Sequence, residues 1–254
     1  MREKVLLIAG TEDGRELGRY LIEQGYKVLA TAASEYGGEL LSENEGIETM
    51  TGRKNAEELA EVIREEGIRY VIDASHPYAE EVTANAKEAS KETGAEYIRY
   101  ERERLEVKYE RVRKVRNYEE AAREAKKLGK RILLTTGSKK LGELVKELKG
   151  CELTVRVLPT AEVLRECERL GLKPRQIIAM QGAFSKGMNV ETYRHSGAEV
   201  VVMKESGRVG GEDTKMEAAE ELGLPVVLIE RPREEYERKA SSYEGVRKLM
   251  EGRE

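Results

Sequence analysis

The stretch Val5-Leu6-Leu7-Ile8-Ala9-Gly10-Thr11-Glu12-Asp13-Gly14-Arg15 decides how the rest of the chain is read. An apolar run enters a small, tight turn, and Leu17, Leu21 and Ile22 then recur at the spacing of one helix face. A buried strand, a glycine turn and a helix, in that order, open a nucleotide-binding βαβ unit. There the turn brings backbone N–H groups up to a phosphate, and the helix start adds partial positive charge. Gly10, Thr11 and Arg15 are the residues placed for that task. The full G-x-G-x-x-G pattern is absent, and the same residues also suit a plain strand-to-helix turn.

Working outward, the pattern repeats. Tyr26–Thr31, Ile47–Met50, Tyr70–Ala74 and Glu96–Tyr100 read as further strands. Helical periodicity fills 56–66, where Leu59, Val62 and Ile63 share a face, and runs from Pro77, at the first turn, to about Lys91. After residue 117 the alternation resumes. Strands are expected at 131–135, 153–158, 176–180, 199–203 and 225–229, and a final helix at 241–250. Strand–helix alternation predicts an α/β fold of two halves, each a parallel sheet flanked by helices, with the ligand cleft at the strand C-ends. The expected division is 1–103, 104–238 and a terminal helix at 239–254 that packs back on the first domain. Between the halves, residues 99–116 carry Arg99, Arg102, Arg104, Lys108, Arg111, Arg113, Lys114 and Arg116 against four glutamates. They read either as a solvated connector or as a cationic rim for a polyanion.

Composition narrows the class. The chain has 254 residues, 37% of them charged, a net charge of −4, 5% aromatics and no Trp. Lys, Arg and Glu at this density fit a protein from a hot environment. A net negative charge argues against a nucleic-acid binder. No apolar run approaches the ~20 residues that span a membrane. The start of the chain reads straight into a strand, so a cytoplasmic monomer or weak homodimer is expected. Cys151 and Cys167 form no C-x-x-C pair, and Cys167 shares a helical face with Leu164 and Leu170, as a buried thiol would. With His76 and His195 the only histidines, no metal site is expected.

Several polar or glycine-rich turns fall at strand C-ends, where open α/β sheets bind ligands. Thr136, Gly137 and Ser138, followed by Lys139, can cradle a phosphate or carboxylate; alternatively Ser138 caps the next helix. Ser206, Gly207, Arg208, Gly210 and Gly211 make a loop open to close backbone approach, and Lys204 and Lys215 flank it. His76 lies between a strand end and a helix, in an active-site position or in a capping one.

Taken together these turns resemble the precorrin-6A reductase family of cobalamin biosynthesis, including its cobalt-precorrin version. Ala9–Arg15 is similar to the family's opening G-G-T-x-E-x-R, and Asp73-Ala74-Ser75-His76-Pro77-Tyr78-Ala79 to its D-A-[ST]-H-P-[FY]-A. Thr136-Gly137-Ser138, Arg156-Val157-Leu158-Pro159, Met180–Ser185 with Asn189, and Ser206–Lys215 follow in the family's order. Ala9 stands where the family has glycine, Asp13 where it has glutamate, and Ala183 where it has proline. The resemblance implies two Rossmann-like domains with the ligand cleft between them, and an NADPH-dependent reductase acting on one double bond of a corrin-ring precursor, a small-molecule tetrapyrrole rich in carboxylates. On that footing His76 and Lys215 are the candidate catalytic residues. Gly10, Thr11, Arg15, Ser34, Thr136, Gly137 and Ser138 are expected at the cofactor, and Lys204, Ser206, Gly207, Arg208, Gly210 and Gly211 at the substrate. A non-catalytic NADPH-binding redox sensor is the alternative. A short-chain-type nucleotide-sugar enzyme would want a Tyr-x-x-x-Lys pair, which Tyr36, Tyr78, Tyr97 and Tyr193 do not offer.

The residues themselves favour NADPH over NADH. The second strand ends in Ala32-Ala33-Ser34, with no acid at its tip for the ribose hydroxyls. Ser34 can donate to a 2′-phosphate and Arg53 can pair with it. Glu35, one step on, is the residue that would reverse the preference.

Overall fold

The computed structural model describes residues 3–208, 210–232 and 234–252. The chain divides into two compact units, Met1–Glu103 with Arg233–Glu254, and Arg104–Pro232. Residues 234–238, which the pattern assigns to the second domain, therefore lie in the first unit.

The first unit holds a six-stranded parallel sheet. In chain order its elements are β1 (Lys4–Ile8), α1 (Glu12–Glu23), β2 (Lys27–Ala32), α2 (Glu35–Ser42), β3 (Ile47–Thr51), α3 (Ala56–Glu65), β4 (Tyr70–Asp73), α4 (Glu80–Thr93) and β5 (Glu96–Tyr100). Two elements near the end of the chain, β12 (Lys239–Ala240) and α10 (Tyr243–Met250), complete it. The strand order is β12-β5-β4-β1-β2-β3, the dinucleotide-binding order with the late strand in the sixth place. The apolar run is continuous because β1 is covered on both faces. Val5 and Leu7 pack with Leu17, Leu21 and Val246, while Leu6 and Ile8 pack with Leu59, Ile63 and Ala89.

The second unit holds another six-stranded parallel sheet, ordered β6-β11-β10-β7-β8-β9. Its elements are β6 (Val112–Val115), α5 (Tyr118–Leu128), β7 (Arg131–Leu134), α6 (Leu141–Glu147), β8 (Glu152–Val157), α7 (Ala161–Arg169), β9 (Ile177–Ala179), α8 (Lys186–Ser196), β10 (Val200–Lys204), α9 (Glu212–Glu221) and β11 (Val226–Ile229). Leu133, Val201, Met203 and Leu228 bury one face against Val190, Tyr193, Met216 and Ala219 of α8 and α9.

Four local readings are corrected. Glu35–Ser42 is a helix that the alternation alone does not show, because Gly37 and Gly38 depress its propensity; Gly38 is required, since a Cβ there would lie 2.1 Å from Thr51 Cγ2. The charged stretch contains a strand, β6, which pairs with β11 at the sheet edge, where exposed charges are at home. Pro77 sits in a turn, and α4 starts at Glu80. The solvated-connector reading of residues 99–116 holds for 101–109, none of which is buried or in a helix or strand, and fails at either end. Arg99 is buried on Asp73, Arg102 pairs with Asp13, Arg104 with Glu205, and Arg111 donates to the Gly223 carbonyl.

Candidate active site

Each sheet has one place where the chain's winding reverses, and in open parallel sheets that place, beyond the strand C-ends, is where ligands bind. In the first unit it lies between β1 and β4, in the second between β7 and β10. The residues singled out from the sequence gather around these two places.

At the first, Thr11 caps α1. Its hydroxyl accepts from Gly14 N at 3.2 Å and donates to the Ala74 carbonyl at 3.2 Å, tying the turn after β1 to the turn after β4. Gly14 lets the helix close on the strand, for a Cβ there would stand 3.0 Å from Ala9 Cα. Gly10 is exposed, and a Cβ on it would meet nothing within 4 Å. That space, in front of the N-terminus of a twelve-residue helix, fits a phosphate. Arg15 is half-buried on the same helix and, among the described residues, has no ion-pair partner. Ser34 caps α2, accepting from Gly37 N at 3.1 Å; its exposed hydroxyl proton is still able to donate. Arg53 is exposed after β3.

His76 follows β4 in a turn held from beneath by a buried ion pair. Arg99 and Asp73 meet at 2.8 Å, with the two side chains 1% and 0% exposed. Asp73 also accepts from Thr83 and Tyr97, each at 2.7 Å, and from Ser75 N at 2.9 Å. Arg99 donates to the Ser75 carbonyl and hydroxyl at 3.1 and 3.2 Å. Burial by itself would push the Asp73 carboxyl up; the Arg99 charge and the Ser75 and Thr83 bonds hold it below its usual range. His76 accepts from Tyr78 N through Nδ1 at 3.3 Å.

The second place is richer in charge. Thr136 is buried and its Oγ1 has no partner. Gly137 adopts φ +78°, which only a glycine takes at little cost, and a Cβ there would meet nothing. Ser138 does not cap the following helix with its side chain; α6 begins at Leu141, and Ser138 gives it only a carbonyl. Lys204 ends β10. Burial, and then the Lys139 charge, push its ammonium down to about 8. The Ser206–Gly211 loop is stapled by α9 at both ends. Gly207 N donates to Glu212 at 2.7 Å, and Lys215 Nζ donates to the Gly210 carbonyl at 2.6 Å. Gly210 admits no side chain, because a Cβ would fall 2.4 Å from Ser206 Cβ. Arg208 is exposed. Lys215 is likewise pushed down to about 8, by burial first and then by Arg156. Burial raises Glu212, and its Oε1 is buried without a partner.

Sequence reasoning did not single out Arg156 or Glu212 as site residues. The signal was there for Arg156: a cation inside the apolar run Val155-Arg156-Val157 is either paired or kept for a ligand.

The comparisons give the family and the fold. A family model described as "Precorrin-6x reductase CbiJ/CobK" matches residues 4–251. The chain belongs to the precorrin-6x reductase family. A cobalt-precorrin-6A reductase of Priestia megaterium is 41% identical over 245 residues, 95% of this chain and 96% of the relative. One from Methanothermobacter thermautotrophicus is 40% identical, over 91% of this chain and 78% of its own. Among solved structures, "CobK precorrin-6A reductase" superposes with a TM-score of 0.83 at 25% identity, covering 99% of this chain and 97% of that one. Membership makes the chain an oxidoreductase of cobalamin biosynthesis that uses a nicotinamide cofactor, and it sets the redox-sensor alternative aside. No helix among the described residues is long and apolar enough to cross a membrane.

Proposed function

We propose that this precorrin-6x reductase reduces one ring double bond of cobalt-precorrin-6A to the 6B form with NADPH. The observation that carries the site assignment is the group of cations at the β7/β10 reversal, Lys204, Lys215 and Arg156. Their charge is disfavoured until an anion arrives. Relatives at 41% and 40% identity carry cobalt in their names, whereas one from Rhodobacter capsulatus at 27% does not, which favours the cobalt form.

The cofactor supplies the hydride. Gly10, Thr11 and Arg15 hold its phosphates at the N-terminus of α1, and Ser34 with Arg53 receives the 2′-phosphate. Thr136, Gly137 and Ser138 form a second cofactor-binding turn, to which Thr136 Oγ1 brings an unused hydroxyl. Lys204, Ser206, Gly207, Arg208, Gly210 and Gly211 take substrate carboxylates. Lys215 gives up the proton: near neutral pH it is charged, yet it releases a proton more readily than an ordinary lysine. His76, fixed by the Asp73–Arg99 pair beneath it, is the second candidate donor.

Titrating NADPH and NADH against the protein tests the cofactor. A charge-assisted contact to the 2′-phosphate gives NADPH a preference of roughly ten- to hundredfold; equal affinities would overturn it. Lys215→Met is expected to lower kcat by roughly a hundredfold or more, as loss of a general acid does. A fall in melting temperature without a selective kinetic effect would make Lys215 structural, and full activity in His76→Ala would remove His76.

A further inference from the structure

Arg156 is 7% exposed and lies near the C-end of the interior strand β8. Among the described residues its guanidinium makes one hydrogen bond, to Asn189 Oδ1 at 2.7 Å, and rests over the Phe184 ring at 4.7 Å. No carboxylate of the described residues pairs with it. The contrast with Arg99 is informative: an arginine equally buried in the first unit meets Asp73 at 2.8 Å. An uncompensated buried guanidinium is costly, and burial lowers its affinity for its own proton.

The surroundings are built to keep this fork in place. Asn189 is fully buried and is itself fixed: its amide nitrogen donates to Thr214 Oγ1 at 3.2 Å and to the Ser185 carbonyl at 3.2 Å. Thr214 in turn donates to the Phe184 carbonyl at 2.8 Å. Phe184 covers one face of the guanidinium, Asn189 takes one N–H, and the remaining N–H groups have no acceptor among the described residues. A planar, bidentate donor with a stacked face and an open edge matches a carboxylate. Leu158, two residues beyond, and Met188, in the first turn of α8, are exposed apolar side chains at 51% and 44%. They suit the apolar body of a molecule whose carboxylate enters beside them.

We infer that Arg156 is the receptor for one carboxylate of the tetrapyrrole substrate, with Phe184 and Asn189 holding its guanidinium in the receiving orientation. This rests on the proposed substrate and adds the residue that recognises its acid side chains. Lys204 and Lys215 supply charge nearby; Arg156 supplies geometry.

The test is anaerobic binding of cobalt-precorrin-6A, without cofactor, to the wild-type chain and to Arg156→Met and Arg156→Lys, with NADPH titrated separately against each. Arg156→Met is expected to weaken tetrapyrrole binding roughly ten- to hundredfold and to leave NADPH affinity within about twofold. Arg156→Lys recovers part of the loss, since it keeps the charge without the fork. Arg156→Met should melt close to wild type, because removing a buried charge that has no carboxylate partner offsets the loss of the donor to Asn189 Oδ1. If Arg156→Met does not fold, Arg156→Gln carries the same comparison. Tetrapyrrole binding unchanged in the variants overturns the inference, as does a loss that falls equally on NADPH, which would assign the seat to a cofactor phosphate. Failure of the wild-type chain to bind the tetrapyrrole would instead overturn the substrate reading beneath it.

Discussion

Asp73 shows how one side chain serves a site it does not enter. Its carboxylate is wholly buried, and its partners Arg99, Ser75 and Thr83 position the turn that carries His76. Removing one member of such a pair strands the other, so Asp73→Asn is expected to cost about 3–5 kcal/mol, measured by urea unfolding at neutral pH. The double change Asp73→Leu with Arg99→Met should recover most of it. The pH dependence has a definite sign. The folded-state value of Asp73 is depressed, so its contribution is present above the unfolded value of about 3.9 and is lost as pH falls through the folded one. The gap between wild type and Asp73→Asn should therefore close only in acid. Lys215 is the opposite case. Burial, Arg156 and Lys204 lower it, Glu212 and Asp213 raise it, and it settles at about 8. An anion on Arg156 removes one repulsion, so tetrapyrrole binding near pH 8 should take up a fraction of a proton. Calorimetric titration in buffers of different ionisation enthalpy measures this; Lys215→Met should show less uptake than wild type, the remainder belonging to Lys204. Charge was legible in the sequence at Arg99 and Arg156, but burial and pairing were not. Of this pair Arg99 meets an aspartate and Arg156 does not, and only tertiary placement distinguishes them.

At the scale of elements, turns at strand ends were the most legible features because glycine leaves a physical trace. Gly137, Gly207 and Gly211 all lie where the backbone turns left-handed, and Gly10 faces open space. Gly210 is the strictest of the group. Its absent side chain lets the loop fold on Ser206, whose backbone oxygen would stand 2.9 Å from a Cβ. Gly210→Ala should therefore open the loop held by Glu212 and Lys215, and lower substrate affinity at least tenfold with a smaller change in melting temperature. Binding and thermal melts on the same preparation check it; tight binding with a normal melt would show that the loop tolerates the methyl group. What the sequence hid at this scale were α2 and β6. Gly37 and Gly38 speak against helix locally, Gly38 being kept for packing on Thr51, while the charges of β6 speak against strand and are kept for a solvated sheet edge.

The whole molecule closes on its own C-terminus, and this was legible only in part. The final helix is plain in the spacing of Val246 and Met250, but a strand of Lys239–Ala240 is too short to leave a pattern. Its partner register supplies what the sequence could not: Ala240 lies against Tyr100, completing the first sheet at its β5 edge. The returning segment then buries Val246 and Met250 in the first unit's core. It adds hydrogen bonds from Tyr70 to the Met250 carbonyl at 2.5 Å and from Tyr243 to Glu16 at 2.8 Å, and places the Tyr243 ring 5.4 Å from that of Tyr100. Burying each large apolar side chain contributes about 1.5–3 kcal/mol, so Val246 and Met250 with the tyrosine contacts reach several kcal/mol. A domain's whole stability is about 5–15 kcal/mol. A chain ending at Pro232 should therefore lose the cooperative unfolding of its first unit while the second, whose strands all lie within 104–232, keeps its own transition. Hydrogen exchange resolved by segment reads this directly. Protection should vanish from β1, β4 and β5 and persist in β7, β10 and β11, and adding back a peptide of residues 233–254 should restore the lost protection. Full protection of β1 in the truncated chain would show that the first sheet stands without its sixth strand.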